Sequence, residues 1–323
     1  MNNKRISYLD NARALCMLWV VGIYHMRGYL GVTLSIQGDI IFNNITIAAL
    51  GTFTFLSAFF LRKKQIKSHR DILLFYKKRL VRVYPFFLLS SVLFLILRSF
   101  TSVFSFITCL LGVCPFFEPV PITLWFISML LFFYFLTPII LYIKNTHGLL
   151  CSVIIPIILF LLMYVLNTIH FVSVDRRWFI YFPIYFCTLL LSKDLKKNKS
   201  ILVFLVSAFI LFIICIPDIY IWAEQYIIMQ WLIAIVGIII VVTTSFYIDR
   251  FKHISNILSY ISYGSMVSYL FHRQFFGIMY KVFGRFSFFS ALIFCIILLV
   301  FSFGAQKTYD FIINHCMGKT NHK

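Results

Sequence analysis

Arg13 and His25 interrupt the apolar run YLDNARALCMLWVVGIYHM (8–26). A charged or titratable side chain at membrane depth is costly enough to need a partner, water or a task. On a continuous α-helix the two lie ~18 Å apart along the axis. A neutral His25 imidazole suits general-base work on a hydroxyl, because its ordinary pKa is close to working pH. Plainer roles are a hydrogen bond from His25 to a neighbouring helix, snorkelling of Arg13 to the headgroups and helix capping by Asp10. A second constellation lies in FYKKRLVRVYPFF (75–87), where Arg79 and Arg82 are three apart and share a helical face. Two guanidiniums so placed take phosphate oxygens bidentately. The plainer reading makes them part of a positive-inside signal. Pro85 is expected to stiffen the start of a membrane helix just beyond them.

Helices must hold these groups, and the composition says which kind. Of the 323 residues 62% are hydrophobic and only 12% charged, and the mean hydropathy is +0.95. A soluble domain of this length could not cover its surface with so few charges, so the chain reads as a polytopic, all-α transmembrane bundle. Each crossing needs about 20 mainly apolar residues. Such runs give about ten spans, at 12–30, 40–61, 83–103, 122–143, 149–168, 177–192, 201–217, 222–246, 260–280 and 287–306. Val103 to Cys114 is too short to span, and either continues the third helix or lies at the outer surface. The whole chain, 1–323, reads as one transmembrane domain.

Positive charge sets the orientation, since Lys and Arg stay on the cytoplasmic side. The most basic break, 62–82, holds Arg62, Lys63, Lys64, Lys67, Arg70, Lys77, Lys78, Arg79 and Arg82. With that break inside and an even number of spans, both termini are cytoplasmic. The formal net charge of +19 is then largely an inner rim facing membrane lipids or an anionic cytosolic ligand, and does not call for nucleic acid. The first apolar run lacks a small-residue cleavage site and is expected to stay as a membrane helix, not leave as a signal peptide. Eight cysteines without a CxxC pair read as small buried hydrophobes, and no metal is expected. Asp175, Arg176 and Arg177 fall in an outer break, either gripping a glycan or forming a solvated rim.

Four stretches, in order, carry a family resemblance. Leu9, Asp10, Arg13 and His25 resemble the first helix of the acyltransferase-3 family of integral membrane O-acyltransferases. FTFLSAFFLRKK and FYKKRLVRVYP (within 53–85) are similar to that family's second-helix end, basic loop and Arg-x-x-Arg-x-x-Pro motif, carried by Arg79, Arg82 and Pro85. LWFISMLLFFYFLTPII (124–140) resembles its Leu-Trp-Phe helix, and ISYGSMVSYLFHRQ (261–274) its Ser-Tyr-Gly and Tyr-Leu-x-His segment, with His272 matching. The resemblance implies an acyl-CoA donor, most simply acetyl-CoA, used from the cytosol. It implies an acceptor hydroxyl on a cell-surface polysaccharide or its lipid-linked sugar precursor, and a bacterial cytoplasmic membrane as the setting. Carried over by residue, His25 is the base, Arg13 its electrostatic companion with Asp10 beside it, and Arg79 and Arg82 the CoA phosphate site. Trp125, Ser128 and Tyr134 are candidates for stabilising the oxyanion or lining the acyl tunnel, and His272 either meets substrate or ties two helices together.

Three positions depart from the family pattern. Arg13 and His25 enclose eleven residues where the family usually has ten, which on a regular helix turns their side chains about 120° apart. A π-bulge absorbs one residue, and Gly22 is a natural place for one; alternatively the two side chains never cooperate directly. Leu130 and Leu131 stand where many members carry acidic residues, which suits the compact polysaccharide-modifying branch. Ala58 follows Ser57 where a glycine is common. Two competing readings remain: a transporter of polysaccharide or lipid-linked sugar, and a catalytically silent relative.

Overall fold

A computed structural model describes residues 6–97, 99–117, 123–191 and 226–318, together with 206, 207 and 210. All regular structure among them is helical. In chain order the α-helices are α1 (Ser7–Met17), α2 (Met26–Leu30), α3 (Ile36–Phe59), α4 (His69–Ile96), α5 (Val103–Leu110), α6 (Leu124–Thr168), α7 (Arg176–Leu190), α8 (Ile227–Ile248), α9 (Lys252–Phe283) and α10 (Phe288–Gly318). A π-helix, Leu18–Tyr24, joins α1 to α2, and a 3-10 turn, Cys114–Phe116, follows α5. Among the described residues, five helices are long and apolar enough to cross a membrane: α3, α4, α6, α8 and Phe288–His315 of α10. The protein is a helical membrane protein. Apart from 206, 207 and 210, the span expected at 201–217 lies outside the described residues, as does the gap at 193–200 before it.

Several expected boundaries are corrected by local chemistry. The break expected over 62–82 is helical from His69 onward, because Ser68 and Asp71 form a reciprocal capping box that starts α4. Pro85 therefore lies inside α4 and not at its start. Residues 103–110 do not continue that helix: Ser102 accepts from the Ser105 backbone N–H at 3.0 Å and begins α5 separately. The span expected at 177–192 is the 15-residue α7, begun by Asp175, whose carboxylate accepts from the Arg177 backbone N–H at 2.9 Å. The cysteines are less uniformly buried than their apolar context suggests. Cys16, Cys109 and Cys114 are buried, whereas Cys151 and Cys187 are exposed.

The described residues fall into two compact units, one drawing on 6–52 and 236–318 (with 206, 207 and 210) and the other on 53–191 and 226–235. In the first unit, α1 packs on α9 and α9 on α10. Small residues let helices approach closely. A Cβ added at Gly237 would come 2.1 Å from the Cβ of Ala48, and one at Gly264 2.9 Å from the backbone N of Phe303. Tyr263 also donates a hydrogen bond to Asp310, tying α9 to α10.

The second unit is held by aromatic packing. Trp178, Tyr181, Phe182, Tyr185 and Phe186 of α7 are fully buried, and Phe133 of α6 touches Phe182, Tyr185 and Phe186. The 45-residue α6 is two helices meeting at Gly148, whose φ of 89° a residue with a Cβ rarely adopts. Phe132 and Phe160, ~42 Å apart on a straight helix, both contact Trp178, so the two arms fold back beside each other. The break expected at 144–148 is thus present.

Candidate functional site

The first helix is irregular where its spacing departs from the family pattern. Leu18–Tyr24 is π-helical and includes Gly22, and the His25 backbone N–H reaches back five residues to the Val20 carbonyl at 3.1 Å. One residue is absorbed, and the polar side chains on either side meet the same helix. Asp10 accepts from the Ser262 hydroxyl at 3.2 Å, Asn11 exchanges hydrogen bonds with Ser255, and His25 meets His272, all three partners being on α9.

Asp10 is not a cap, because α1 starts at Ser7 with Ile6 in the capping position. Its carboxylate faces Arg13 one turn on, at 3.7 Å, and is itself nearly buried. Arg13 thus pairs with Asp10, while His25 pairs with His272.

The two imidazoles lie nearly parallel, 12° apart with ring centres 4.7 Å apart, and His25 Nδ1 is 2.7 Å from His272 Nε2. His272 Nδ1 is also 2.7 Å from the Tyr269 carbonyl, which can only accept. In the neutral pair the tautomers follow. His272 carries its proton on Nδ1, its Nε2 accepts from His25 Nδ1–H, and His25 Nε2 carries no proton. His272 is fully buried, whereas His25 is half-buried and lines a cavity of about 500 Å³ together with Tyr24, Arg27, Tyr29, Arg273 and Tyr280. That volume is in the range of small-molecule sites. Sequence reasoning singled out His272 and passed over Arg273 beside it. The signal was there, since an arginine within an apolar span is a functional candidate by default.

In the second unit Arg79 is half-buried, its guanidinium 5.3 Å from the Tyr134 ring centre and 5.8 Å from that of Phe75. Arg82, one turn on, is exposed. Lys64 comes in from the preceding loop with its ammonium 5.2 Å from the Phe75 ring. Partial burial, then the positive charges of Arg79 and Lys78, push the Lys64 pKa down to about 8. Asn145 fixes that loop by donating to the Lys64 and Ile66 carbonyls at 3.4 and 3.1 Å. Three cations are therefore close enough to repel one another, an arrangement that an anion relieves. Trp125 and Ser128 have partners in the same unit. Arg177 covers the Trp125 ring at 3.9 Å, and the fully buried Ser128 hydroxyl donates to the Cys109 carbonyl at 3.3 Å.

The site residues are thus a partnered imidazole pair among apolar helices in the first unit and a group of cations on aromatic rings in the second. A family model described as an acyltransferase domain matches residues 6–305. The chain belongs to the acyltransferase-3 family, and is a membrane acyltransferase in general class. No curated protein and no solved structure matches it. Among the described residues no group of three or more His, Cys, Asp and Glu side chains is placed to hold a metal.

Proposed function

We propose that the protein transfers an acyl group, most simply acetyl, from acyl-CoA to a hydroxyl of a cell-surface polysaccharide or its lipid-linked sugar precursor in a bacterial cytoplasmic membrane. The reading takes ten crossings, both termini inside, as the sequence expects, and a single functional domain built from both units. The observation that carries it is the contact of His25 with His272 beside the cavity, in a chain of an acyltransferase family.

In this mechanism His25 Nε2 takes the proton of the acceptor hydroxyl as its oxygen attacks the thioester carbonyl. The C–S bond breaks, the ester forms, and the CoA thiolate takes the proton back from the imidazolium. Through both transfers His272 holds His25 Nδ1–H, so the ring keeps its orientation. Asp10 and Arg13 form a paired, nearly neutral group on the same helix and fix its seat on α9. Arg79 and Arg82, with Lys64, bind the CoA phosphates, and the Tyr134 and Phe75 rings steady the Arg79 guanidinium.

The test is transfer of labelled acetyl from acetyl-CoA into the glycan fraction of membranes holding the protein, beside membranes with an equal amount of His25→Ala. Alkali-labile label should enter with the unaltered protein and fall about 10²- to 10⁴-fold with the variant. Equal labelling in both would remove His25 as the base.

A further inference from the structure

We infer that the cavity beside His25 is an acceptor site for a negatively charged sugar, with Arg273 gripping a carboxylate or phosphate while a hydroxyl of the same molecule meets His25. This deepens the proposed function and rests on it for the role of His25. Two guanidiniums line the cavity, and their circumstances differ. Arg27 is matched: its guanidinium meets the Asp39 carboxylate at 2.6 Å and lies 5.3 Å from the ring centres of both Tyr24 and Phe42. Arg273 is not. Among the described residues no carboxylate pairs with it, and its buried Nε has no hydrogen-bond partner.

A guanidinium held inside a membrane protein without an opposing charge is costly, and a carboxylate or phosphate that takes its fork bidentately removes that cost. The surroundings hold Arg273 where it is. The Tyr29 hydroxyl donates to the Arg273 carbonyl at 3.4 Å, and the Tyr29 ring packs on Phe276, Tyr280 and Phe286. The preceding residue, His272, holds the base His25, so the anion grip and the residue that orients the base are neighbours on α9. Tyrosines supply the rest of the lining, offering flat apolar faces with hydroxyls at their ends, which suits a ring bearing hydroxyl groups. Their hydroxyls are set by partners in part: Tyr24 donates to Asn43 at 3.3 Å. A neutral sugar would fill the same space and leave Arg273 unmatched.

The experiment uses the full chain purified into lipid nanodiscs and follows its melting temperature with four probes at equal concentration: glucuronate, its neutral methyl ester, glucose 1-phosphate and glucose. At least one charged probe should raise the melting temperature by several degrees while its neutral partner does not, and Arg273→Gln should abolish that increment. The carboxylate and phosphate arms separate an acidic sugar from a sugar phosphate of the lipid-linked kind. Equal shifts with charged and neutral partners, no shift with either anion, or an anion increment that survives in Arg273→Gln would overturn the inference. The ester comparison is made on unaltered protein, so it decides even where the variant does not fold. Acetyl transfer is read separately. A charged-probe shift without any acetyl transfer removes the acyltransferase reading and leaves the anion site, whereas transfer that ignores charge removes the site and leaves the enzyme.

Discussion

The first helix of one unit and the start of α4 in the other hold their polar groups in opposite ways. In the first, three polar side chains of the first helix are fixed by named partners: Asp10 by Ser262 and Arg13, Asn11 by Ser255, and His25 by His272. In the second, the cations near the start of α4 lean on aromatic rings, and one of them, Arg82, is exposed. On the proposed function, the difference follows from the task given to each region. Proton transfer needs one atom held in one place, and buried hydrogen bonds supply that precision. A phosphate-rich cofactor arrives as a flexible polyanion, and long cationic side chains on a partly open surface can close on it from several directions.

If this contrast is right, the largest effect short of removing the base comes from its partner. His272→Ala leaves His25 Nδ1 without an acceptor and the ring free to turn or change tautomer. Acetyl transfer should fall about 10- to 100-fold in kcat, with the KM for acetyl-CoA little changed. A merely structural role would predict no recovery from His272→Gln. A tautomer-fixing role predicts partial recovery, since the Gln oxygen can still accept from Nδ1–H. Failure of His272→Gln to exceed His272→Ala would reduce the imidazole pair to packing.

The second unit should answer with the reverse pattern. Arg79→Gln removes a charged donor near the Tyr134 ring, and charge-assisted hydrogen bonds contribute about 1.5–3 kcal/mol. Affinity for CoA should drop about 10-fold or more while the rate at saturating acetyl-CoA stays within about twofold. Equilibrium binding to nanodiscs, compared for CoA and dephospho-CoA, checks it. A kcat loss at saturation would place Arg79 at the reacting atoms and dissolve the division of labour between the two units.

How much of this was legible beforehand depends on whether the signal was local. The eleven residues between Arg13 and His25 marked a helix one residue out of phase, and the structure absorbs that residue as π-helix at Leu18–Tyr24. The break at 144–148 was visible as a polar gap, and Gly148 supplies the turn. The start of α4 was legible but missed, because the Ser68 to Asp71 capping signal sat inside a run dominated by charge. The pairing of His25 with His272, 247 positions apart, was not readable from spacing at all. It arises from packing of α1 and the π-helix after it on α9, and one sequence records no such contact. Arg273 was hidden by its neighbour, because the histidine beside it drew the functional reading. Whether it was matched by a carboxylate is a tertiary fact.

The smallest effect is the one that tests the second region by pH alone. The Lys64 pKa sits near 8, lowered first by partial burial and then by Arg79 and Lys78. Free protein therefore loses this charge as pH rises through about 8, well below an ordinary lysine. A bound phosphate favours the protonated amine, so above that pH binding must take up a proton. The sign follows: CoA affinity is full at pH 7 and declines toward pH 9, by at most about tenfold over that interval for one linked proton. Lys64→Arg, charged throughout, should flatten the decline while leaving the pH 7 affinity within about threefold. Calorimetric titration at pH 7, 8 and 9 in two buffers of different ionisation heat would count the proton directly. An identical decline in the arginine variant would move the titrating group off Lys64. No decline in either would mean that the CoA phosphates do not meet this loop, and the anion-binding role would pass to Arg79 and Arg82 without it.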